Sequence, residues 1–141
     1  MRWQGIALLV VVPAVVSGVV AAAQEKKDPA KTRFFEMRTY IANPGKLEAL
    51  HARFRDHTNK LFVKHGMELV GYWTPTTGED AGSKLVYILA YPDEAARKAS
   101  WDAFVKDPDW VKAKAESEKE GVLVGKVISV FMTPTDYSPI K

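Results

Sequence analysis

The run of residues 85–91, Leu-Val-Tyr-Ile-Leu-Ala-Tyr, has no polar side. Read as a strand, it puts Leu85, Tyr87, Leu89 and Tyr91 on one face and Val86, Ile88 and Ala90 on the other. A strand that is apolar on both faces belongs to a sheet covered on both faces. Residues 122–132 repeat the pattern, with Val122, Val124, Ile128, Val130 and Met132 against Leu123, Val127 and Phe131. This chain therefore has to lay two covers on one sheet.

The other elements follow from periodicity and punctuation. Residues 34–41 alternate as a strand, with Phe35, Met37, Thr39 and Ile41 on one face and Phe34, Glu36, Arg38 and Tyr40 on the other. Asn43-Pro44-Gly45 breaks it. Residues 46–65 predict one long helix whose apolar stripe is Leu47, Leu50, Phe54, His57 and Leu61, with Arg53, Asp56 and Lys60 on the outer side. Gly66 reads as its left-handed cap. Residues 67–74 form a second strand, on which the neighbours Tyr72 and Trp73 must point to opposite faces. Residues 75–83 are a polar loop. Asp93 reads as the N-cap of a helix with Glu94 in its first turn, and Asp107-Pro108 restarts a further helix that Gly121 stops.

Strand, helix, strand, strand, helix, helix, strand is the ferredoxin-like β-α-β-β-α-(α)-β plan of the α+β class, with helices on one face of an antiparallel sheet. Its other face would be bare in a single subunit. The two-sided apolar strands point to a second copy as the missing cover, a homodimer packed sheet to sheet about a two-fold axis.

At 141 residues the chain holds one domain. It has no cysteine, which excludes disulfides and thiolate metal ligation. Its net charge of +3 is spread among interleaved acids and bases, and no Lys/Arg block marks a nucleic-acid footprint. Arg2, the apolar residues 5–20 and Ala21-Ala22-Ala23 have the layout of a secretory signal peptide cut after Ala23; an uncleaved anchor is the alternative, since about 20 apolar residues cross a bilayer. The expected organisation is signal peptide 1–23, linker 24–33, domain 34–134 and tail 135–141. The expected location is periplasmic or secreted.

Glu36-Met37-Arg38-Thr39-Tyr40 followed by Pro44-Gly45-Lys46, His65-Gly66 with Val70-Gly71-Tyr72-Trp73, Ala90-Tyr91 with Arg97 and Trp101, and Asp107-Pro108-Asp109-Trp110 together resemble the NIPSNAP family. The matching pieces span residues 34–132. The resemblance implies a dimeric α+β barrel and names no reaction. It also marks a departure: many family members carry a His and a Trp on the third strand, where this chain has Tyr87 and Leu89.

Five residues are candidates for lining a ligand pocket: Arg38, Tyr40, His57, Trp73 and Tyr87. Arg38 beside the Tyr40 phenol could orient an anionic or carbonyl-bearing ligand; the plainer alternative is an ion pair with Glu36 or across subunits. His57, inside an apolar stripe, could be a base or a ligand; the alternative is a half-buried His bonded to a backbone carbonyl or a Tyr. The aromatic residues could stack on a flat ligand or simply fill the core. No His pair has helical metal-site spacing, so no metal and no cofactor are expected. The expected partners are a second copy and a small molecule, with no nucleic acid and, after cleavage, no membrane. Two function classes stay open. One is a small-molecule-binding or structural and interaction domain. The other, by analogy of fold alone, is a small-molecule enzyme of the cofactor-independent monooxygenase or haem-handling kind.

Overall fold

The computed structural model describes residues 32–79 and 81–141. The expected signal peptide, and the expected linker up to residue 31, lie outside the described residues. The chain runs β1 (Phe34–Ala42), α1 (Leu47–Arg53), a π-helical turn (Phe54–Thr58), α2 (Asn59–Lys64), β2 (Glu68–Trp73), β3 (Lys84–Tyr91), α3 (Glu94–Phe104), α4 (Pro108–Ser117) and β4 (Val124–Met132). All strand pairings are antiparallel, in the order β2-β3-β1-β4. This is the α+β, ferredoxin-like sheet expected from the element order.

The register decides what each face carries. Glu36 lies opposite Leu89, Arg38 opposite Tyr87 and Tyr40 opposite Leu85, so these six share the face that the helices cover. Leu85, Tyr87, Leu89 and Tyr91 are buried there against Leu50, Phe54, Leu61, Phe62 and Phe104. Burying each large apolar side chain contributes roughly 1.5–3 kcal/mol, enough to hold helices of this length on the sheet. The helix starts are capped as their sequence signals require. The Asp93 carboxylate accepts from the Ala96 amide at 2.8 Å, and that of Asp107 from the Asp109 amide at 2.8 Å.

The first helix departs from its expected stripe. At the π-helical turn the Asn59 amide bonds to the Phe54 carbonyl, five residues back. The Thr58 hydroxyl donates to the Arg53 carbonyl at 3.2 Å, also five back. One extra residue in the turn advances the buried row by one position. The inward residues become Leu50, Arg53, Phe54, Thr58, Leu61 and Phe62, and His57 is exposed. Arg53, expected outside, is 4 % exposed and pairs with Glu118 at 3.0 Å, its guanidinium 5.2 Å from the Trp110 ring.

The opposite sheet face carries Met37, Thr39, Ile41, Val86, Ile88, Ile128 and Val130. It has more cover from its own chain than expected. The C-terminal tail lies against one end, where Pro134, Thr135, Ser138 and Ile140 line a cleft with Phe35, Val70 and Ile88. The Arg33 side chain ties the tail down by donating to the Lys141 carbonyl at 2.5 Å. The rest stays open, with Ile128 40 %, Val130 43 % and Trp73 52 % exposed.

Candidate functional site

On the helix-covered face, β1 brings a carboxylate into the core. Glu36 has no exposed surface. Arg97 grips it with a fork, Nε to Oε2 at 2.9 Å and Nη2 to Oε1 at 3.0 Å. Arg38 Nη1 donates to Oε1 at 3.0 Å, the Trp101 indole to Oε2 at 2.9 Å and the Tyr91 hydroxyl to Oε2 at 3.1 Å. Burial alone would push the carboxyl up; the Arg97 hydrogen bonds, the Arg38 charge and the Trp101 hydrogen bond outweigh it and hold Glu36 below its ordinary range. Glu36 is thus a fixed anion. Arg97 and Trp101 reach it together because they stand four residues apart on α3, one above the other on the same face.

From this cluster a line of rings runs toward β2. The Arg38 guanidinium lies 4.2 Å from the Trp101 ring and 5.5 Å from that of Tyr40. Tyr40 meets Tyr87 edge-on at 5.2 Å, and Tyr87 stacks on Tyr72 at 5.5 Å and 21°. Burial pushes the phenols of Tyr72, Tyr87 and Tyr91 upward, so each stays protonated at neutral pH and none is poised as a base.

Tyr72 also borders an open cleft of ≈ 300 Å³ between the first helix and the β2–β3 edge, lined by His51, Phe54, Arg55, Asn59, Trp73 and Leu85 among others. Two lining residues bury a polar atom that meets no hydrogen-bond partner, Asn59 Oδ1 and the Tyr72 hydroxyl. Such groups cost about 1–3 kcal/mol each when left unpaired. Phe54, Tyr72 and Trp73 wall the recess with rings, and the two unpaired atoms have no exposed surface in it.

The five sequence candidates therefore divide. Arg38, Tyr40 and Tyr87 come together beside Glu36. Trp73 points away from them, its ring folded back over Gly71, where a Cβ would sit 2.6 Å from the indole; it borders the cleft from the edge strand. His57 faces a solvent groove of ≈ 430 Å³ with Asp56, Lys60, Asp109, Lys112 and Glu116, on the outer side of the helix and away from the tyrosines. The extra residue of the π-helical turn is the physical reason it leaves the expected stripe. Sequence reasoning missed Arg97, Trp101 and Tyr91 as partners of Glu36, and Asn59 and His51 in the cleft. One signal was available: an acid among the core-facing residues of β1 demands a cation, and Arg97 with Trp101 at helical spacing could supply it. Asp107, read as a cap, does more. Its carboxylate also accepts from Lys64 Nζ and His65 Nε2, each at 2.7 Å, tying the end of α2 to the α3–α4 joint. Those two hydrogen bonds hold it well below the usual carboxylate range. Among the described residues no three His, Asp or Glu side chains converge as a metal site requires.

The fold is a ferredoxin-like α+β domain of the kind found in solved NIPSNAP structures. A NIPSNAP family protein of unknown function from Agrobacterium tumefaciens superposes with a TM-score of 0.69 at 24 % identity, covering 79 % of this chain and 96 % of that one. An uncharacterized NIPSNAP domain protein from Burkholderia xenovorans superposes with a TM-score of 0.64 at 25 % identity, covering 75 % and 98 %. No curated protein sequence matches. The NIPSNAP family model matches residues 35–139, and the chain belongs to the NIPSNAP family.

Proposed function

We propose that this protein is an exported, homodimeric domain that binds a small, flat, neutral molecule in the cleft beside Tyr72. The observation that carries the reading is the aromatic recess itself, walled by Phe54, Tyr72 and Trp73, with Asn59 Oδ1 and the Tyr72 hydroxyl buried and unpaired in two of the residues that line it. A ring stacks on the aromatic walls, and rotation of the Asn59 and Tyr72 side chains would bring the two buried atoms to its donor and acceptor. The homodimer reading rests on the exposed apolar residues Ile128, Val130 and Trp73, which a second copy would cover. The export reading rests on residues 1–23.

Benzamide is a suitable probe, since its amide offers both groups on a flat ring. Titration followed by NMR should shift Tyr72 and Trp73 signals saturably, and both Asn59→Ala and Tyr72→Phe should weaken binding. No shift up to ~10 mM, beyond the millimolar range of a fragment this small, would overturn the binding reading. Light scattering that finds a monomer at micromolar concentration would remove the dimer. Intact mass of the protein recovered from the exporting cell would reveal whether residues 1–23 are lost.

A further inference from the structure

Two guanidiniums share one buried carboxylate, and the surplus charge has an outlet. Among the described residues Arg38 and Arg97 ion-pair with no acid but Glu36, which leaves the cluster one positive charge in excess. Arg38 uses one of its five N–H groups, toward Glu36, and its Nε is buried with no partner. Neither arginine is sealed in: their side chains are 16 % and 22 % exposed. The exposed side opens toward β4. Ser129 stands opposite Arg38 in the register and is exposed, and the Arg97 guanidinium lies 4.5 Å from the ring of Phe131. Phe131 is 51 % exposed and Val127 42 %, although both lie on the sheet face that the helices cover elsewhere. β4 is an edge strand, and between Val124, which packs on the core, and Phe131, which Arg97 overlies, its inner side is exposed.

We propose that Arg38, Arg97 and the uncovered inner side of β4 form a second ligand site, for a monoanionic amphiphile of the carboxylate class. The guanidiniums hold the carboxylate, and Val127 and Phe131 carry its apolar body. A single negative charge neutralises the surplus. Guanidinium donors match a carboxylate in geometry, and both are held in place already by Glu36 and by the Trp101 and Phe131 rings, so little side-chain entropy is lost on binding. The apolar floor disfavours small hydrated anions, which would leave it uncovered.

Octanoate below its micellar concentration is the probe, 1-octanol the neutral control and chloride the small-anion control, at constant ionic strength. The Trp101 indole N–H signal reports directly, because that group donates to Glu36 beside both arginines. Octanoate should shift it saturably, and octanol and chloride should not. Arg38→Gln should weaken octanoate at least about tenfold. Ser129→Asp, which sets a carboxylate opposite Arg38 without touching Glu36, should do the same and keeps the test alive if Arg38→Gln fails to fold. Tyr72→Phe should leave octanoate binding unchanged, which separates this site from the benzamide cleft. Equal shifts from octanol, full affinity in Ser129→Asp, or no response up to ~10 mM would each overturn the proposal.

Discussion

Replacing Glu36 by Gln separates charge from shape at the centre of the fold. The side chain is fully buried and accepts five hydrogen bonds from four residues. Gln keeps the volume, removes the negative charge and turns one acceptor oxygen into a donor facing other donors. Two guanidiniums then lose their counter-ion. Removing one partner of a buried pair costs about 3–5 kcal/mol. Because the Arg38 and Arg97 side chains keep 16 % and 22 % of their surface, water relieves part of that cost, and we expect the lower end, about 3 kcal/mol. With a urea slope of about 2 kcal/mol/M, the unfolding midpoint should fall by about 1.5 M. Wild type and variant must be compared at one protein concentration, because any subunit association makes the midpoint concentration-dependent. Lys98→Met is the control: its pair with Asp102 at 2.6 Å is 75 % and 56 % exposed, so solvent screens it and the midpoint should not move measurably. The sign with pH is also set. The folded Glu36 lies below its ordinary value, so its contribution is complete above the unfolded carboxylate range, about pH 4.3, and disappears as pH falls through the folded value. The gap between wild type and variant should therefore close in acid. A Glu36→Gln unfolding free energy within about 1 kcal/mol of wild type at neutral pH would refute the claim that this charge organises the core.

Arg53→Met should cost about 2 kcal/mol in the same assay, since it removes the buried cation beside Glu118 and leaves Lys114 as its remaining partner, and replacing both Arg53 and Glu118 by apolar residues should recover part of the loss. His57→Ala should change stability by no more than about 0.5 kcal/mol, because the residue is exposed, whereas Thr58→Val should cost about 1 kcal/mol by removing the hydroxyl's bond to the Arg53 carbonyl. Val130→Asp sets a charge on the outer sheet face that the proposed dimer would bury, and light scattering should then report a monomer. A dimer that survives this substitution is not packed sheet to sheet.

The element order was legible because each element carries its own local signal. Gly66, with φ of 77°, ends the first helix where the left-handed cap was expected, and Asp93 and Asp107 cap the helices that they precede. Strand faces were equally legible, since alternation is a property of the strand alone: Tyr72 faces the helices and Trp73 does not. The candidate site was legible only in part. Arg38 and Tyr40 could be grouped because they alternate onto one face of β1, but that Tyr87 stands opposite Arg38 is decided by the register. A core-facing acid signals that some cation must meet it, but only the fold decided that Glu36 collects Arg97, Trp101 and Tyr91 from 61, 65 and 55 residues away.

What the sequence determined by itself is the α+β plan, the two faces of each strand and the family, all of which follow from short-range periodicity, punctuation and the order of motifs. What only the tertiary structure decided is the side chains that meet. A single extra residue in the helical turn at Phe54–Thr58 moved Thr58 into the core and His57 out of it. Helical periodicity assumes a constant turn, so one π-helical turn brings Thr58 and Phe62 inward, with Leu61 still buried beside them. The buried charge was decided at the same level, because a carboxylate can sit in a core only when the fold brings cations to it, and those come from distant parts of the chain.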